Sequence, residues 1–183
     1  AAFYVLYHPH RPLFSVTSLK ISAFNLTTTP ADDSTQLSTR INVTLSARNP
    51  NNKITYLYDP MFIAVRSNSI DLSNGSFANF TSSPDNISII HTAMAMNFKV
   101  LDANEVKSLK SDLKRKRGLP MEIVMDTMVG VKMEKLKVRK IGIRIRCGGI
   151  HGTLPKGKNV TPANTAKAKC KVDLRIKIFK WTF

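Results

Sequence analysis

Hydrophobic and polar positions alternate without a slip over residues 37–48. Leu37, Thr39, Ile41, Val43, Leu45 and Ala47 fall on one face, and Ser38, Arg40, Asn42, Thr44, Ser46 and Arg48 on the other. A period of two predicts a half-buried β-strand. The same period recurs along the chain. Phe14, Val16 and Ser18, then Leu19 and Ile21, predict a first strand with a slip near residues 17–19. Thr92, Met94, Met96, Phe98 and Val100 share one parity, as do Met121, Ile123, Met125, Thr127, Val129 and Val131. Ile141, Ile143, Ile145 and Cys147 form a further set, and Ala168, Cys170, Val172, Leu174, Ile176 and Ile178 the last. The apolar run 61–65, bounded by Pro60 and Arg66, reads as a short buried strand. Residues 27–34 and 67–88 read as loops, the second with room for a weak edge strand. Residues 132–140 contain no clear turn residue, so no boundary is placed there, and Gly148-Gly149 opens a long loop with Gly152, Pro155, Gly157 and Pro162.

One stretch has the other period. Asp102 followed three residues later by Glu105 is a capping-box pattern, with Leu101 and Val106 placed for a hydrophobic staple. Val106, Leu109 and Leu113 recur at helical spacing. Residues 114–117 put positive charge in the last turn, Gly118 supplies the residue beyond the cap, and Pro120 follows. About seven strands and one helix at this spacing predict a mainly β, immunoglobulin/fibronectin-like sandwich, with no internal repeat and no internal domain boundary.

The strand at 37–48 stops at Asn49-Pro50-Asn51-Asn52-Lys53, where Pro50 has no N–H and the asparagines suit turn geometry. Tyr56, Tyr58 and Asp59 follow, then Pro60. This combination resembles the plant NDR/HIN-like (NHL) proteins, a branch of the late embryogenesis abundant (LEA) group-2 family. His8-Pro9-His10-Arg11-Pro12 with Phe14, and the lone Cys170 in the last strand, extend the likeness over nearly the whole chain. The resemblance implies a β-sandwich outside the cell, tethered to the plasma membrane by one N-terminal helix and tied to defence and stress responses. It divides the chain into residues 1–12, the end of an anchor with its juxtamembrane stretch, and residues 13–183, the sandwich domain.

Charge changes the picture. The 183 residues carry a formal net charge of +16. Residues 1–98 hold six Lys/Arg against five Asp/Glu, and residues 99–183 hold 22 against seven. Lys140, Arg144, Arg146, Lys169, Lys171, Arg175 and Lys177 lie on the polar faces of the last strands. Such an excess suits an acidic lipid, an acidic cell-wall polysaccharide or simple solubility. At the other end, Ala1-Ala2-Phe3-Tyr4-Val5-Leu6-Tyr7 is apolar but shorter than the ~20 residues of a spanning helix. It reads either as a buried first strand or as the outer end of a membrane span.

Asn25, Asn42, Asn74, Asn79, Asn86 and Asn159 each begin an Asn-x-Ser/Thr triplet. Composition alone predicts roughly two such triplets, so secretory passage with glycans is favoured over coincidence in loops. Asn42 falls on a polar strand face and the others in expected loops. Cys147 and Cys170 both point inward; they form one bridge if the domain is extracellular, or remain two buried thiols.

Lys114-Arg115-Lys116-Arg117 matches a nucleic-acid or nuclear-localisation patch, but a solvated helix end is the simpler reading. Nucleic acid is disfavoured because only Phe179 and Trp181 accompany the basic strands. His8, His10, His91 and His151 are scattered, and no Gly-x-Ser-x-Gly, His-Glu-x-x-His or phosphate loop is present. No enzyme activity, cofactor or metal is therefore expected. Three functions remain: an extracellular interaction domain with protein partners in defence signalling, a protective protein under water stress, and a lipid binder with a groove lined by Val106, Leu109 and Leu113.

Overall fold

The computed structural model describes residues 11–29, 34–68, 70–114, 118–133, 136–152 and 168–174. Among these residues, ten strands and one helix follow in the order β1 (Leu13–Thr29), β2 (Ser34–Arg48), β3 (Thr55–Tyr58), β4 (Met61–Ser67), β5 (Ile70–Phe77), β6 (Phe80–Ser82), β7 (Ile87–Leu101), α1 (Ala103–Leu113), β8 (Leu119–Met133), β9 (Leu136–Gly152) and β10 (Lys169–Leu174). They build two antiparallel sheets in a sandwich-like arrangement. One sheet has the order β1-β2-β7. The other runs β10-β9-β8, after which β3 and β4 pair in tandem along the far side of β8, with β6 outside β3 and β5 outside β4.

The core follows the alternation. Leu37, Thr39, Ile41, Val43, Leu45 and Ala47 of β2 are all buried, and the apolar ones share one hydrophobic cluster with Ile123, Met125, Val129, Ile143 and Ile145. Side chains close the two seams where the sheets meet. Along one, Thr92 Oγ1 and Lys99 Nζ of β7 donate to the β5 carbonyls of Ser76 and Asp71 at 3.0 and 3.1 Å. Along the other, Arg11 Nη1 donates to Val172 O of β10 at 3.0 Å. Edge carbonyls that would otherwise template another strand are thus occupied.

Several expectations are corrected. The region 27–34 is not one loop: β1 runs to Thr29 and β2 starts at Ser34. Residues 67–88 hold β5 and β6, because Ile70, Leu72 and Phe77 point inward between the Ser and Asn positions. The Tyr-x-Tyr segment is a strand in its own right. Phe62 is 69% exposed, so β4 alternates rather than being buried throughout. Gly148-Gly149 does not open a loop; Gly149 takes φ +78° within β9, and both Cys147 and Ile150 turn inward around it.

The slip in β1 lies between Val16 and Ser18, and a second lies between Ile21 and Ala23. A further bulge departs from simple alternation. The pairing of β2 with β7 shifts between Leu37 and Thr39, and Phe98 adopts φ +53° with its N–H bonded to Ser38 Oγ at 3.1 Å. Parity inverts there, so Phe98 and Val100 point out to solvent and Leu101 points in.

In α1 the Asp102–Glu105 capping box is complete, with Glu105 N–H to Asp102 Oδ1 at 2.7 Å and Asp102 N–H to Glu105 Oε1 at 3.1 Å. The helix ends at Leu113 with Lys114 as its cap, earlier than expected, so Gly118 is not the residue beyond the cap. Gly118 instead takes φ +89° where a Cβ would meet the Gly152 carbonyl at 2.5 Å, the entry to β8. Residues 115–117 lie outside the described residues.

Candidate functional site

The Asn-Pro-Asn element forms a hydrogen-bonded lock at one end of the sandwich. The Asn49 side chain is fully buried. Its Nδ2 donates to Ile54 O at 2.7 Å and Ser82 O at 3.0 Å, and its Oδ1 accepts from both the backbone N–H and Nδ2 of Asn51 at 3.0 Å. Asn51 Nδ2 also donates to Tyr56 Oη at 2.9 Å. The backbone joins in: Asn49 N–H donates to Asn86 O, and Asp85 N–H to Asn51 O. One residue, Asn49, therefore ties the end of β2 to the starts of β3 and β7 and to β6, through its side-chain amide and its backbone N–H. The Asx-type turn follows from the sequence, whereas the clamp on Ser82 and Asn86 does not; the one local signal for it is the turn-forming Pro84-Asp85 pair.

The tyrosines differ. Tyr56 is held by Asn51, and burial pushes its pKa up while that hydrogen bond pulls it partly back. Tyr58 stacks on Phe80 with ring centroids 4.4 Å apart and meets Phe14 edge-on at 5.9 Å. Its hydroxyl is buried with no partner among the described residues, and burial, with Tyr56 nearby, pushes its pKa far up. Asp59 bridges the break between β3 and β4. Its N–H donates to Met128 O at 3.0 Å, its carbonyl accepts from Thr127 Oγ1 at 2.9 Å, and its carboxylate binds Lys140 Nζ at 2.9 and 3.1 Å. Pro50 is half-buried, and Lys53 is exposed and takes no part in the lock.

The expected basic residues that are described, Lys140, Arg144, Arg146, Lys169 and Lys171, converge on one surface. β10 pairs with β9 so that Lys171 faces Arg146 and Lys169 faces Gly148. The two rows expected from alternation are therefore adjacent rows of the same sheet face. Acidic residues thread it: Arg144 pairs with Asp126 at 2.9 Å, Lys140 with Asp59 at 2.9 Å and Lys171 with Asp173 at 3.8 Å. The hydrogen bonds that Arg144 donates to the Asp126 carboxylate hold its guanidinium above its ordinary pKa. Arg146 and Lys169 are exposed with no carboxylate partner among the described residues. Arg175 and Lys177 lie outside the described residues.

Cys147 and Cys170 stand directly opposite in the β9–β10 register and are joined by a disulfide, which closes the span between those strands. Of the six Asn-x-Ser/Thr asparagines, Asn25, Asn74, Asn79 and Asn86 are exposed and Asn42 is half-buried. Asn25 and Asn74 sit on strands rather than in loops. Asn159 lies outside the described residues, as do Ala1–Tyr7, His8 and His10.

Under α1, Leu109 is fully buried, and Val106 and Leu113 are partly buried against the core. A shallow cleft of about 570 Å³ opens beside the helix, lined by Leu101 and Val106 together with Lys107, Lys110 and Lys114. Among the described residues no grouping of three His, Cys, Asp or Glu could hold a metal, and no helix is long and apolar enough to cross a membrane.

No family model matches the chain. Among solved structures, a protein from Archaeoglobus fulgidus aligns with 72% of this chain and 95% of its own at 13% identity and a TM-score of 0.32, a likeness too slight to argue from. Among curated proteins, NDR1/HIN1-like protein 6 of Arabidopsis thaliana is 28% identical over 175 residues, which is 94% of this chain. The chain spans 66% of that relative's length. The chain is thus similar, over nearly its whole length, to a protein of the NDR1/HIN1-like group.

Proposed function

We propose that this chain is the extracellular interaction domain of a plasma-membrane protein that acts in plant defence and stress responses, with the N-terminal residues 1–12 ending its single anchor. The observation that carries the reading is the similarity over nearly the whole chain to a protein named for that group. The apolar residues 1–7, the six Asn-x-Ser/Thr triplets and the disulfide are consistent with it. The polar lock is consumed in holding the fold, so partners meet the outer strand faces. The β9–β10 face is the surface we assign to them, with protein partners in signalling and acidic cell-wall polysaccharide or lipid as the chemistry its charge suits.

Expression of the full-length tagged protein in leaf cells tests this. The protein should sediment with plasma membrane, its sandwich domain should be digested by protease added outside intact protoplasts, and its loss should change the cell-death response to a pathogen. A domain protected from external protease, or a defence response unchanged by its loss, contradicts the reading.

A further inference from the structure

Among the described residues, the two most exposed large hydrophobic side chains are Phe62, at 69%, and Phe98, at 68%. They lie on different sheets, and each has an Asn-x-Ser/Thr asparagine beside it. On the β4–β5 pair Phe62 faces Ser76, the third residue of Asn74-Gly75-Ser76, and Ala64 faces Asn74. Asn74 is thus the diagonal neighbour of Phe62 on the outer face, the spacing at which aromatic side chains reach across strands. On the other sheet Asn25 of β1 faces Ser38 of β2, which in turn bonds the Phe98 N–H of β7. Asn25 and Phe98 line opposite sides of one open cleft of about 860 Å³, with Ser38, Arg40 and Asn97 between them. Two strand spacings, about 10 Å, separate them.

The bulge at Phe98 gives the second site independent weight. A bulky residue at φ +53° is strained, and its effect is to turn outward a ring that unbroken alternation would have put beside Met94 and Met96. Burial cannot be the reason for that strain, because the ring ends in solvent.

We infer that Asn74 and Asn25 carry N-glycans whose first sugars rest on Phe62 and Phe98. In each transfer the asparagine Nδ2 bonds to C1 of the sugar and loses a proton. The C1–O bond to a lipid-diphosphate donor breaks, the diphosphate leaves with the electron pair, and nothing is oxidised or reduced. The C–H face of a pyranose covers a phenyl ring, while Arg40 and Asn97 supply donors to its hydroxyl and acetamido groups at the second site. The inference rests on the extracellular placement proposed above.

The test is a cycle between glycan and ring. The 183-residue chain is made in a plant secretory host and, with its disulfide formed, in bacteria that add no glycan. Phe62→Ala and Phe98→Ala are measured in both. Each should lower the thermal midpoint of the glycosylated protein by roughly 2–4 °C, and Ser76→Ala or Thr27→Ala, which remove the glycan, should abolish that loss for its own pair. In the bacterial protein neither Phe substitution should lower the midpoint. Equal effects in the two hosts overturn the inference for that pair. Peptide mass mapping separates the levels of failure: glycans elsewhere but none on Asn25 or Asn74 overturn this inference alone, and none on any triplet overturns the extracellular reading with it.

Discussion

The lock at Asn49–Asp59 and the β9–β10 face are both polar, yet they are built in opposite ways. In the lock, each polar atom of the Asn49 side chain is buried and bonded to a protein group. On the β9–β10 face, charges sit in water, three of them beside carboxylates and Arg146 and Lys169 open. Buried polar groups are expensive to leave unmatched, while exposed ion pairs contribute little. The difference teaches that the most recognisable residues of this chain hold the fold, and that the surface we propose for partners lies where the sequence looks least distinctive.

The sharpest way to break the comparison is Asn49→Ala. It strands the carbonyls of Ile54 and Ser82 and the N–H of Asn51, so it should cost about 4 kcal/mol of stability, read from urea unfolding. Next comes Cys147→Ala with Cys170→Ala. The bridge joins residues 23 apart, and its removal should cost about 3 kcal/mol in the chain-entropy model. Such a loss would show that the β9–β10 face also depends on an internal tie.

The tyrosines sharpen the account further. Tyr56→Phe loses the bond from Asn51 and should cost about 1 kcal/mol, whereas Tyr58→Phe removes a buried hydroxyl with no described partner and should be neutral or stabilising by up to about 1 kcal/mol. Both tyrosines have raised pKa values in the fold. The unfolded chain therefore releases these protons first, at about pH 10, and stability should fall as pH rises from there. Tyr58→Phe should flatten that alkaline loss, measured as the unfolding midpoint from pH 8 to 11. The smallest effect belongs to the exposed pair Lys140–Asp59: Lys140→Ala should change stability by less than about 1 kcal/mol.

How far the sequence reveals this arrangement follows from the same contrast. The strand at 37–48 is legible because all six inward positions are buried without exception. The capping box is legible because it is local, spanning Asp102 to Glu105. β5 is not, because Ser73, Asn74 and Ser76 resemble loop residues while Ile70 and Leu72 fill the core through contacts far away in sequence. Phe98 and Val100 mislead because a bulge set by pairing with β2 inverts their parity, and no local residue announces it. On the basic face, alternation identifies the positive side chains, but Asp126 on β8 and Asp59 beyond β3 come opposite them only through sheet pairing.

The most direct test sets lock against face in one experiment. Asn49→Ser and the pair Arg146→Glu with Lys169→Glu are compared with the unaltered domain for unfolding midpoint in urea and for binding to polygalacturonate at 50 and 300 mM salt. The account predicts a crossing. Asn49→Ser lowers the midpoint and leaves binding by the folded fraction intact; the charge reversals leave the midpoint within about 0.5 kcal/mol and remove binding that is strong at low salt and weak at high salt. Binding lost with Asn49→Ser in a domain that remains folded, or retained after the charge reversals, would contradict it.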